Sequence, residues 1–143
     1  MGDKIRTLVD NVRAAWNKHD ASAFASMFSD NAMLQIIASG EVVHGREQIR
    51  QFAEGLLKAL PDLWIERKST HQCGEAVCII EWSLAATHEG EFLGVSPTHR
   101  SVKMLACSIF ELGADGLIGK ETVYFDAATV LRQLGALPES ANA

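Results

Sequence analysis

Ala76-Val77-Cys78-Ile79-Ile80-Glu81-Trp82-Ser83-Leu84-Ala85-Ala86-Thr87-His88 is followed by Arg100-Ser101-Val102-Lys103-Met104-Leu105-Ala106-Cys107-Ser108-Ile109-Phe110-Glu111-Leu112 and then by Leu117-Ile118-Gly119-Lys120-Glu121-Thr122-Val123-Tyr124-Phe125. Each run is apolar or alternating, rich in β-branched and aromatic residues and free of proline, which is the pattern of a strand. Leu63 to Gln72 alternates in the same way. Turn residues fall between them, at Gly74 and at Gly113-Ala114-Asp115-Gly116. Strands of this length twist, and a sheet built of them curls.

The segments before this block read mainly as helices. Asp3 can cap a first helix, in which Ile5, Leu8, Val9, Val12 and Trp16 repeat at helical spacing. Asp20 can cap a short second helix with Phe24, Met27 and Phe28 on one face, broken at Ser29-Asp30-Asn31. Met33 to Ile37 and Glu41 to His44 read as two short strands around Ser39-Gly40. Gly45 precedes a third helix, whose buried stripe is Ile49, Phe52, Leu56 and Leu60, with Pro61 after its end. Beyond the last strand, Asp126 can cap a fourth helix carrying Ala127, Val130, Leu131 and Leu134, with Gly135 and Pro138 ending it.

Helices first and long antiparallel strands later make an α+β protein rather than a doubly wound parallel one. The expected architecture is a cone: a curved antiparallel sheet with three to four helices on one face, enclosing a pocket. The other face is left open, and a second copy of the chain is its expected cover.

At 143 residues the chain is expected to form a single domain, 1–143. A net charge of −5 argues against a nucleic acid or an anionic membrane as partner. The apolar runs are far short of a membrane span, and the N-terminus shows no secretory signal. Cys73, Cys78 and Cys107 are an odd set that suggests no disulfide framework. They read as small buried apolar side chains in a reducing, cytoplasmic protein.

Two segments carry a family resemblance. Thr87-His88-Glu89-Gly90-Glu91-Phe92-Leu93-Gly94-Val95-Ser96-Pro97-Thr98 resembles the strand end and loop of the SnoaL-like polyketide cyclases, a branch of the nuclear-transport-factor-2-like superfamily. Asp126 through Gly135 is similar to that family's final aspartate and apolar helix ending Gln-Leu-Gly. Trp16-Asn17-Lys18-His19-Asp20 with Phe24 and Phe28, and Gly45-Arg46-Glu47-Gln48-Ile49, resemble the superfamily more broadly. The resemblance implies a curved antiparallel sheet, a homodimer, no cofactor, and aldol ring closure by acid/base chemistry. His99-Arg100 and Val123-Tyr124 depart from the family pattern, near the expected pocket mouth and floor.

Such chemistry needs a base near an acidic C–H, a donor for the developing enolate, and a dry wall around both. Asp126 is the first candidate base, although capping the last helix explains the same residue. Alternation puts Glu121, Val123 and Phe125 on one face of their strand and Thr122, Tyr124 and Asp126 on the other. Tyr124 is therefore a candidate donor beside Asp126, and His88, opening the loop over the mouth, is another. Trp16, Phe28, Met33, Phe52, Trp82, Phe92 and Met104 are the expected pocket wall. Glu81 is read as facing solvent or a partner subunit, with a second pocket carboxylate as the alternative. No spacing suits zinc, a phosphate loop or a serine-hydrolase elbow. The sequence thus points to a cofactor-independent cyclase or isomerase acting on a hydrophobic carbonyl compound. A non-catalytic binder of a small hydrophobic metabolite, or an interaction dimer, is the alternative.

Overall fold

A computed structural model describes residues 3–138. In chain order the elements are helix α1 (Asp3–Asn17), helix α2 (Ala21–Ser26), strand β1 (Phe28–Ile36), strand β2 (Glu41–His44), helix α3 (Arg46–Ala59), strands β3 (Trp64–Cys73), β4 (Val77–Thr87), β5 (Ser101–Leu112) and β6 (Ile118–Phe125), and helix α4 (Ala127–Gln133). The helices and the four long strands fall where the periodicity predicts them.

One six-stranded sheet runs β2-β1-β6-β5-β4-β3. β3 to β6 are antiparallel neighbours, as expected; short turns join β3 to β4 and β5 to β6, and a longer loop joins β4 to β5. β1 departs from the expectation. It lies parallel to β6, so the sheet is mixed rather than wholly antiparallel. β1 also begins earlier than its apolar run, at Phe28, because its first residues pair across a register shift with Ile118. Further register shifts fall between Arg67 and Ser69 and between Glu111 and Leu112. Such irregularities sharpen local twist and help the sheet curl.

The helices cover the inner face. Ile5, Val9, Val12 and Trp16 of α1 pack with Ile65, Cys78, Ile80 and Phe110 of the sheet in one buried cluster. Phe24 joins them to Phe28 and Trp16 through ring contacts at 4.9 and 4.4 Å. Asn17 ties the end of α1 to β3 like an extra strand residue: its amide donates to the Ile65 carbonyl at 2.9 Å and accepts the Ile65 N–H at 2.7 Å. Of the three cysteines only Cys78 is buried; Cys73 is exposed and Cys107 half-buried on the outer face. Among the described residues, no helix is long and apolar enough to cross a membrane.

The loop after β4 is anchored onto the end of α3. The N–H groups of Glu89 and Gly90 both donate to the Ala59 carbonyl, at 2.8 and 3.1 Å. A Cβ at Gly90 would stand 2.9 Å from Ala59 Cα and 3.0 Å from the Lys58 carbonyl oxygen, both backbone atoms that cannot swing aside. Gly90→Ala is therefore expected to destabilise the protein by about 1–3 kcal/mol, the usual cost of overpacking. Urea unfolding checks this, and an unchanged midpoint would mean that the loop is not seated on α3.

Candidate functional site

The inner face of the sheet does not pack solid against the helices. A cavity of about 710 Å³ remains between them, well within the range for sites that enclose a small molecule. Its floor is Trp16, Phe24, Leu34, Ile36, Leu60, Ile65, Leu84 and Val123. α3 contributes Phe52 and Leu56, the loop after β4 contributes Phe92 and Leu93, and α4 contributes Ala127 and Leu131. Gln51, Ser39, Glu41 and Glu91, all exposed, mark the mouth.

Glu121 is the buried ionisable group in this wall. Strand alternation on β6 turns it inward with Val123 and Phe125. Opposite β5 it pairs with Phe110 and opposite β1 with Leu34, so its surroundings are apolar. It is 6% exposed. A short chain of donors reaches it: Trp82 Nε1–H donates to Ser108 Oγ at 2.9 Å, and Ser108 Oγ–H donates to Glu121 Oε2 at 2.9 Å. Oε1 has no hydrogen-bond partner among the described residues. Burial favours the neutral acid and the Ser108 bond favours the carboxylate. Burial wins, raising the pKa to about 7. A carboxyl poised there can take and return a proton near neutral pH.

The expected catalytic residues do not gather around the cavity. Asp126 lies outside its lining and caps α4. Its Oδ1 accepts the N–H groups of Ala128 and Thr129 at 3.0 and 3.3 Å, and its Oδ2 accepts the Thr129 hydroxyl at 2.7 Å. Those bonds hold its carboxyl below the usual carboxylate range, the opposite of what a base near pH 7 requires. Tyr124 is 44% exposed, on the outer face with Asp126. The alternation that pairs these two residues also takes both away from the cavity. His88 is fully buried rather than at the mouth. Its Nδ1 accepts the Thr98 N–H at 3.2 Å and lies 2.9 Å from the Thr98 hydroxyl, so the ring closes the base of the loop and does not line the cavity.

Five of the seven expected wall residues do line the cavity: Trp16, Phe52, Trp82, Phe92 and Met104. Phe28 is instead wholly buried in the core against Phe24. Met33 is turned to the other side of β1, because Leu34 and Ile36 take the inward positions. Glu81 is exposed and accepts the Ser69 hydroxyl at 2.6 Å. Sequence reasoning passed over Glu121, although a signal for it was present: it is the acid that alternation groups with Val123 and Phe125. Among the described residues, no cluster of three or more His, Cys, Asp or Glu is placed to hold a metal ion.

Solved structures share this architecture. AclR from Streptomyces galilaeus, provisionally assigned as a hydroxylase, is 28% identical over 97% of this chain and 89% of its own, with a TM-score of 0.81. A protein with a ketosteroid-isomerase-like fold from Catenulispora acidiphila is 19% identical over 92% of this chain and 93% of its own, with a TM-score of 0.78. A provisionally assigned SnoaL-like polyketide cyclase from Jannaschia sp. CCS1 is 21% identical over 92% of this chain and 93% of its own, with a TM-score of 0.76. A search of curated protein sequences finds no match. The sequence model of the SnoaL-like polyketide cyclases matches residues 6–134, nearly the whole described chain and all but Gly135 of the two segments that carry the resemblance, and the chain belongs to that family.

Proposed function

We propose that the protein is a cyclase or isomerase that acts on a neutral, hydrophobic, polyketide-like carbonyl compound, with Glu121 as its acid/base group. The observation that carries this reading is one buried carboxyl, its pKa raised by burial, in the wall of an apolar cavity of substrate size. The lining supports a neutral substrate. Its charged members are Glu41 and Glu91 at the mouth and Glu121 on the floor, and no Lys, Arg or His joins them among the described residues. A free carboxylate or phosphate on the substrate would enter with no counter-charge and be repelled.

One carboxyl suffices for the chemistry. Glu121 as carboxylate takes a proton from the carbon next to a carbonyl, leaving an enolate. The enolate carbon attacks a second carbonyl carbon of the same molecule, forming the ring C–C bond and an alkoxide. The alkoxide recovers the proton from Glu121, which returns to its starting state. If the proton goes back to a different carbon instead, the same cycle is an isomerisation. Neither route needs a cofactor. The Trp82–Ser108 pair fixes the carboxyl orientation and spares Oε1 for the substrate.

Glu121→Gln keeps the shape of the side chain and removes the base. It is expected to lower kcat/KM on a panel of β-keto esters and polyketide-like diketones by about 10²–10⁴-fold. Turnover that survives the change would leave a binding protein or a different base. The wild-type pH profile has a definite sign. Below the pKa of about 7 Glu121 is protonated and cannot accept a proton. kcat/KM should then climb with pH, about tenfold per unit, and level off on the alkaline side; a profile flat across neutrality would count against Glu121.

We also propose that a second copy of the chain covers the outer face of the sheet. Trp64, Leu105 and Tyr124 are 55, 71 and 44% exposed there, and large apolar side chains open to water on one sheet face mark interfaces. Leu105→Glu is expected to convert a dimer to a monomer in sedimentation equilibrium while leaving the circular dichroism spectrum unchanged. A wild type that sediments as a monomer would dispose of the interface.

A further inference from the structure

Two residues of the cavity wall break the rules of their own local structure. The first is Gly55, four residues before the end of α3. Glycine inside a helix is unfavourable, because without a Cβ it has the most backbone freedom to lose. A positive φ, or a chain segment so close that no Cβ fits, is the usual reason for keeping one. Gly55 has neither reason. Its φ is not positive, and a Cβ built there would meet no atom within 4 Å among the described residues. The space beside it belongs to the cavity, which Gly55 lines together with Phe52 and Leu56 of the same helix. Gly55 is itself exposed, so it lies at the mouth with Gln51, one turn back along α3.

The second is Leu93, in the loop after β4. Phe92 and Val95 exchange backbone hydrogen bonds at 3.1 and 2.9 Å, which closes a two-residue turn. Its central residues, Leu93 and Gly94, have φ of 51° and 76°. A turn with positive φ at both positions favours Asn-Gly or Asp-Gly, and a leucine in the left-handed region is uncommon and strained. Asparagine would build the same turn at less cost. The backbone therefore gives no reason for leucine, but the side chain does: it is half-buried, packs against the core and lines the cavity. The loop cannot easily carry it away. Glu89 and Gly90 fasten the loop to the Ala59 carbonyl on α3, and His88 and Thr98 close its base.

Local rules that are broken without a packing reason point to function, since a sequence otherwise keeps local preference and fold in agreement. Here both breaks fall on one cavity, one by a side chain that is missing and one by a side chain held under strain. We propose that Gly55 and Leu93 set the size and shape of the molecule that the cavity admits. The bare backbone at Gly55 leaves room along α3 for part of the bound molecule, and Leu93 is a fixed wall that bounds it at the loop. This rests on the reading of the cavity as the substrate site. Neither residue carries a group that can move a proton, so both determine specificity and leave the chemistry to others.

The test compares two neutral aryl ketones, α-tetralone and the larger benzanthrone. Their binding is read by quenching of tryptophan fluorescence, because Trp16 and Trp82 line the cavity. Gly55→Leu is expected to weaken benzanthrone relative to α-tetralone by about tenfold or more, the scale on which apolar pockets sense added methylenes. Leu93→Ala is expected to shift the same ratio by about tenfold in favour of benzanthrone. Leu93→Asn, which suits the turn, serves if the alanine variant does not fold. Gly55→Ala is expected to raise the urea midpoint, because a better helix former enters open space. A wild type that binds neither ketone, or an affinity ratio unchanged in either the Gly55 or the Leu93 variant, overturns the proposal. So does a urea midpoint that falls with Gly55→Ala, since the fold would then require the glycine. None of these readouts involves turnover. Unshifted ratios leave Glu121 intact as the base, and activity that survives Glu121→Gln leaves the size limit intact.

Discussion

Burying a carboxyl group is the physical constraint around which the inner face of this protein is arranged. An isolated carboxylate cannot be placed in apolar surroundings without a large desolvation cost, so it shifts toward its neutral form. Glu121 meets that constraint halfway. Ser108 offers one hydrogen bond, steadied by Trp82, and one oxygen is left without a protein partner. More donors would hold the group as a permanent anion; none would keep it a permanent acid. One donor and nearly complete burial leave it close to the midpoint at neutral pH.

The fold supplies the setting. Three adjacent strands contribute Trp82, Ser108 and Glu121 from the same side of the sheet, in a diagonal that only the antiparallel register of β4, β5 and β6 brings together. α1 and α3 cover the sheet without filling it. The loop after β4, fastened to the end of α3 through Ala59 and closed at its base by His88 and Thr98, brings Phe92 and Leu93 over the hollow. His88 is thus important to the site while standing outside it.

Much of this was legible in the sequence, and the parts that were not have physical reasons. Long strands, helix stripes and both family segments follow from local pattern, and local pattern survives folding. The face of each β6 residue was legible too, since alternation has a fixed period: Glu121 inward, Asp126 outward. What misled was the chemistry assigned to those faces. Asp126 opens a helix at a place where the family resemblance puts an aspartate, and its capping bonds with Thr129 use the oxygens a base would need. Long-range placement was the least legible. The parallel pairing of β1 with β6 involves segments about ninety positions apart in sequence. It decides that Leu34 and Ile36 face the cavity while Met33 does not.

The central claim is that Glu121 is held nearly dry, and thermodynamic linkage reads this without any substrate. In the unfolded chain its pKa has the ordinary value of 4.5; in the fold it is about 7. The folded state therefore binds the proton more tightly, and the contribution of Glu121 to stability is greatest at low pH and is lost as pH rises from 4.5 through about 7. Urea unfolding of wild type and Glu121→Gln, which does not titrate, should be compared across that window. The account predicts that wild type loses stability relative to the variant as pH rises, by on the order of 3 kcal/mol in all. A difference that stays constant with pH, or moves the other way, would show that Glu121 is an ordinary solvated carboxylate and would contradict it.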